Sequence, residues 1–165
     1  MKFKRILKIA LLACSIIVTG VMVVAVYSLL VNRNTPLNIG MYVNIFICIT
    51  GILSVTYHFK TFKFYKKNEG NKKLKDTLLW VSNIIYALLL IYISSSISYS
   101  FYKMNKDGII DSEFYIMYLF CFFVFLLGIF LIIEGRWLYK SIKNSETQSH
   151  LNGIDNIKGH LDDDL

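Results

Sequence analysis

Four uncharged apolar blocks alternate with short polar gaps along this chain. Residues 9–31, 37–59, 77–101 and 114–133 contain no Lys, Arg, Asp or Glu. A soluble helix or strand would alternate apolar and polar positions at its own period, and these blocks do not. A bilayer core of about 30 Å needs about 20 apolar residues at a rise of 1.5 Å each. Every block reaches that length. The pattern predicts an all-α integral membrane protein with four transmembrane helices. Outer gaps at 32–36 and 102–113 are short, which makes successive helices antiparallel neighbours in an up-down-up-down bundle.

Charge then orients the bundle. Lys2, Lys4, Arg5 and Lys8 precede the first block, and Lys60, Lys63, Lys66, Lys67, Lys72, Lys73 and Lys75 fill the 60–76 loop. Arg136, Lys140, Lys143 and Lys158 follow the fourth block, whereas the opposite side holds Arg33, Lys103 and Lys106. The positive-inside rule places both termini and the central loop in the cytoplasm. Trp80 and Trp137 fall at that same surface, and Tyr27, Tyr42, Tyr102 and Tyr115 at the other, as interfacial aromatics do. Composition agrees, with 55% hydrophobic residues and a net charge of +7. The excess of Lys over Arg, 15 to 3, points to an AT-rich bacterial coding sequence and so to a bacterial inner membrane.

Residues 1–140 thus read as a four-span membrane domain and 141–165 as a polar cytoplasmic tail. The tail carries two Lys against one Glu and four Asp, a charge of −3. Leu151, Ile154, Ile157, Leu161 and Leu165 recur near helical spacing, but Gly153 and Gly159 would weaken a helix by about 1 kcal/mol each. The tail is expected to be disordered alone and to fold against a partner or the basic loop. Leu151, Ile154, Ile157, Leu161, Asp162, Asp163 and Asp164 would make that contact.

Several motifs fail on inspection. Leu11-Leu12-Ala13-Cys14 resembles a lipoprotein cleavage site, yet the apolar run continues to Val31, so the span is expected to be retained. Residues 105–113 resemble half of a calcium-binding loop. With Gly108 at the sixth position, the end ligands would be Lys103 and Phe114, which leaves an Asp-Gly turn. Cys14, Cys48 and Cys121 sit singly inside blocks and read as buried small hydrophobes. His150 and His160 are too far apart to share a helix face for metal. His58 and Glu134 fall near span ends, so no ionisable group marks a transport path at mid-depth. Neither an enzymatic activity nor a cofactor is expected.

Two surfaces remain for interaction. The loop lysines (Lys60, Lys63, Lys66, Lys67, Lys72, Lys73 and Lys75) would meet a protein partner or anionic lipid, at about 1 kcal/mol per charge. Phe59, Phe62 and Tyr65 would form an aromatic edge beside them on a helix continuing the second span, and nucleic acid is not expected. In the outer half, Ser94, Ser95, Ser96, Ser98 and Ser100 give small-xxx-small spacing, and Asn44 lies at a similar depth. Asn44 is expected to hydrogen-bond to these serines. Asn44, Ser94, Ser96, Ser98 and Ser100 would then pack helices or, in an oligomer, line a pore. The function expected is that of a small homo-oligomeric membrane scaffold or sensor that engages a cytosolic protein. The analogy is to membrane subunits of bacterial two-gene, antiviral-defence-like systems. A membrane immunity protein against a membrane-active toxin is the first alternative, and a pore or channel subunit the second.

Overall fold

The computed structural model describes residues 2–31, 39–65, 77–106 and 115–162. Each apolar block is helical over its described residues: α1 is Lys2–Val31, α2 Ile39–Thr61, α3 Thr77–Lys106 and α4 Tyr115–Asp162. One turn of 3-10 helix, Phe62–Tyr65, extends α2. The stretches Lys4–Val31, Met41–Tyr65, Thr77–Lys106 and Tyr115–Asn144 are long and apolar enough to cross a membrane. The architecture is that of an all-helical, multi-pass membrane protein.

Two helix ends differ from the sequence expectation. α1 begins at Lys2 rather than near residue 9, so Lys4, Arg5 and Lys8 are helical. α4 does not stop with its apolar run but continues to Asp162. The tail expected to be disordered is therefore helical in its backbone that far. A helix already formed over residues 115–144 adds residues without a new nucleation step, which is the costly part. Two glycines at about 1 kcal/mol each do not break it. The side chains of Leu151, Ile154, Ile157, Leu161 and Asp162, and the whole of Asp163 and Asp164, lie outside the described residues.

The helices close a ring, with α1 on α2, α2 on α3, α3 on α4 and α4 back on α1. Leu11, Ile47, Tyr86, Ala87, Leu90, Val124, Leu127 and Leu131 form the central core. A second cluster of Tyr57, Leu79, Leu138 and Ile142 sits towards the amino-terminal end of α1. The outer surface is apolar in the way that a bilayer solvates: Leu88, Tyr92, Ile116, Leu119, Phe120, Phe122 and Phe123 are all exposed. The closest packing is between α3 and α4. A Cβ on Gly128 would stand 2.8 Å from the Ala87 carbonyl oxygen and 2.7 Å from Ile91 Cγ1. Only hydrogen fits there.

Candidate functional site

One face each of α1 and α2 carries polar side chains at helical spacing, and these meet buried polar groups of α3 and α4 inside the ring. On α1 the buried polar residues are Lys8, Ser15 and Thr19, and on α2 they are Thr50, Ser54, His58 and Thr61. α3 contributes Ser82, Asn83 and Ser94, and α4 contributes Glu134. The inward face of α4 reads Leu127, Leu131, Glu134 and Leu138, so the glutamate occupies a core position.

Three layers of side-chain hydrogen bonds follow. Thr19 Oγ1 and the Tyr86 hydroxyl lie 3.0 Å apart. Nearer the start of α1, Ser54 Oγ donates to Asn83 Oδ1 at 2.7 Å. The third layer is charged. Lys8 Nζ donates to Glu134 Oε1 at 2.8 Å and contacts His58 Nδ1 at 2.7 Å. The Tyr65 hydroxyl donates to the same Glu134 oxygen at 2.7 Å. Lys8 and His58 have no exposed surface, and Glu134 is 2% exposed.

Burial explains why these groups must meet. An isolated ammonium or carboxylate taken out of water loses far more solvation than a helix gains by packing, so each needs its counter-charge. Lys8 adds two aromatic faces to its shell, with Nζ 4.7 Å from the Tyr57 ring centroid and 5.7 Å from that of Tyr65. An ammonium has only donors, so His58 Nδ1 accepts and a neutral imidazole carries its proton on Nε2. Ser15 Oγ, His58 Nε2, Asn83 Nδ2 and Glu134 Oε2 are buried with no partner among the described residues. Each such group costs about 1–3 kcal/mol. A site shaped for stability alone would be filled with leucine. Glu134, Lys8, His58 and Tyr65 also form a connected set of donors and acceptors that ties α1, α2, the 3-10 turn and α4 together.

This junction gathers ionisable groups from the ends of the apolar blocks, where His58 and Glu134 were expected, and adds Lys8 to them. Lys8 lies outside the uncharged block and counts in the charge bias, but the helix extends past it and turns it inward. The available signal was the polar stripe Lys8, Ser15 and Thr19 on one face of α1, matched by Ser54, His58 and Thr61 on α2. Tyr65 also leaves the expected aromatic edge. The chain tightens into the 3-10 turn after Thr61, and Tyr65 turns in to Glu134. Phe59 stays exposed, and Phe62 lies under the Arg5 guanidinium at 5.8 Å.

Of the loop lysines, Lys60 and Lys63 are exposed, with Lys63 Nζ 5.4 Å from the Phe64 ring centroid. Lys66, Lys67, Lys72, Lys73 and Lys75 lie outside the described residues. Cys48 and Cys121 are buried as expected, but Cys14 is exposed on the outer face of α1. Asn44 is half-buried and makes no hydrogen bond to the serines of α3 among the described residues. Ser94 instead donates to its own helix, to Leu90 O at 2.7 Å and Ile91 O at 3.0 Å, and exposed Ser100 donates to Ser96 O at 3.0 Å. A hydroxyl reaches a carbonyl one turn back without ordering a second helix. Exposed Ser96 and half-buried Ser98 also stay on α3, where Ser94, Ser95 and Ser98 border a cavity of about 290 Å³ against Tyr118, Cys121 and Phe122. Among the described residues no three His, Cys, Asp or Glu side chains group as a metal site. Compared with protein families, curated proteins and solved structures, the chain finds no match in any of the three.

Proposed function

We propose that this protein is a small, non-enzymatic membrane sensor or scaffold. In this reading it is an up-down-up-down bundle in a bacterial cytoplasmic membrane, with both termini and the 60–76 loop cytoplasmic. The buried junction ties the packing of the spans to a cytoplasmic helix that engages a protein partner. One observation carries this: Glu134 lies on α4, is held by Lys8 and Tyr65, and α4 runs on unbroken to Asp162. A continuous helix passes a shift or rotation along its length, so loosening the junction would move the extension. The unpartnered buried groups favour a switch over a fixed strut, because they lower the cost of leaving this state.

Further support is geometric. Lys8 faces His58 while Thr19 lies against Gly51, and Trp80 meets Gly135 while Ala87 meets Gly128, as antiparallel neighbours require. Exposed Ser95, Ser96 and Ser100 on α3 gain nothing from lipid, and Ser96 and Ser100 have the spacing at which a second copy packs closely. The pore reading has less behind it, since the Ser94 hydroxyl is engaged within its own helix.

The test compares the full chain with Glu134→Gln, with deletion of 145–165, and with Lys66, Lys67, Lys72 and Lys73 all changed to Gln. All four should insert and oligomerise alike. The deletion and the loop variant should lose a protein that co-purifies with the full chain, and Glu134→Gln should change its yield. If the same proteins are recovered from all four, the sensor-scaffold function is wrong. Reporters fused after Lys143 and within 66–73 should report cytoplasm, and one within 103–107 the outside.

A further inference from the structure

Both tryptophans of the chain, Trp80 on α3 and Trp137 on α4, line one groove of about 540 Å³. Ile133, Arg136, Tyr139 and Lys140 complete it. Trp80 is fixed in place: its indole N–H donates to Gly135 O at 3.4 Å, and its ring lies tilted on Tyr139 with centroids 5.3 Å apart. Trp137 also meets α1, where the Lys4 ammonium stands 5.5 Å from its ring centroid without lining the groove. Arg136 and Lys140 are exposed and one turn apart on α4. Among the described residues no acidic side chain lines the groove, and the nearest carboxylate along α4, Glu134, is buried against Lys8 and Tyr65. The groove lies in the last part of the membrane-crossing stretch of α4, Tyr115–Asn144, ahead of its polar extension.

We propose that this groove binds one anionic phospholipid. The phosphate would sit between Arg136 and Lys140, where the planar guanidinium takes two oxygens and the ammonium a third. The upper acyl chain would lie on Ile133 and the two indoles, whose rings favour headgroup depth. A free phosphate would gain nothing from these apolar walls, and a soluble acidic peptide would have to enter the hydrocarbon edge. Neither Lys60 nor Lys63 lines the groove, and the site does not depend on the sensor-scaffold function.

Because all tryptophan emission arises here, quenching reads occupancy directly. The full chain is reconstituted in phosphatidylcholine vesicles that contain a minor fraction of acyl-brominated phosphatidylglycerol or, separately, acyl-brominated phosphatidylcholine. Two interfacial cations should make phosphatidylglycerol quench at a membrane fraction roughly thirtyfold lower. Changing Arg136→Gln and Lys140→Gln together should bring the two curves together. The exchanged pair Arg136→Lys with Lys140→Arg should keep them apart, which separates loss of charge from loss of fold. Equal quenching by both lipids in the unaltered chain, or an undiminished preference in the double Gln variant, overturns the site. Displacement by inorganic phosphate would make a free anion the ligand and also overturn it. Tryptophans quenched by neither lipid would mean that a second copy or another protein covers the groove.

Discussion

Lys8 and Glu134, 126 positions apart, form a 2.8 Å ion pair that has almost no exposed surface. It is the only ion pair among the described residues, and it closes the ring where α4 returns to α1. Removing one member of such a pair leaves the other buried and uncompensated, at a cost of about 3–5 kcal/mol. Glu134→Leu and Lys8→Met should each lower unfolding stability in detergent by that order. The two together should recover most of the loss, because no lone charge remains. A double variant as unstable as the sum of the singles would show that the pair is not coupled.

Tyr65 tests the same oxygen from another side. Its hydroxyl donates to Glu134 Oε1 at 2.7 Å, and a hydrogen bond to a charged group contributes about 1.5–3 kcal/mol. Tyr65→Phe keeps the ring beside Lys8 and removes only the donor. It should destabilise the bundle less than Glu134→Leu does, and it should cost nothing further in a chain that already carries Glu134→Leu. Additive losses in denaturant unfolding would place the effect elsewhere on the ring.

The spans were legible in the sequence because block length alone decides them. The junction was not, because the length of an uncharged block leaves out the charged residues at a span's edge. Asn44 shows a second limit. Depth and residue type allowed a bond to the α3 serines, but helix rotation decided it. The amide that hydrogen-bonds across helices is Asn83, whose Oδ1 accepts from Ser54 Oγ at 2.7 Å. The α4 extension shows a third limit, since glycine content lowers propensity locally while a long preceding helix removes the nucleation cost.

That substitution of one amide for another can be measured. Ser54→Ala and Asn83→Ala should show a coupling near 0.6 kcal/mol in a double-mutant cycle, the average for membrane bundles. Asn44→Leu should show no coupling to Ser94→Ala or Ser98→Ala. Coupling at Asn44 rather than at Asn83 would mean that α2 is rotated from the orientation described.

Three glycines separate close approach from mere helix weakness. At Gly128 an added methyl meets the Ala87 carbonyl oxygen at 2.8 Å, and a backbone atom cannot move without shifting α3. At Gly51 it meets Thr19 Oγ1 at 2.8 Å and the Tyr86 ring at 3.1 Å, side chains already joined by a hydrogen bond. At Gly20 nothing lies within 4 Å. Overpacking costs about 1–3 kcal/mol, while replacing an unstrained helical glycine with alanine gains about 1 kcal/mol. Gly128→Ala should therefore be the most destabilising, because two helices must separate. Gly51→Ala should be intermediate, since Thr19 can rotate at the expense of its bond to Tyr86. Gly20→Ala should leave stability unchanged or raise it. Melting temperatures of the three variants in one detergent give the order, and a Gly128→Ala protein as stable as Gly20→Ala would mean that α3 and α4 do not approach this closely.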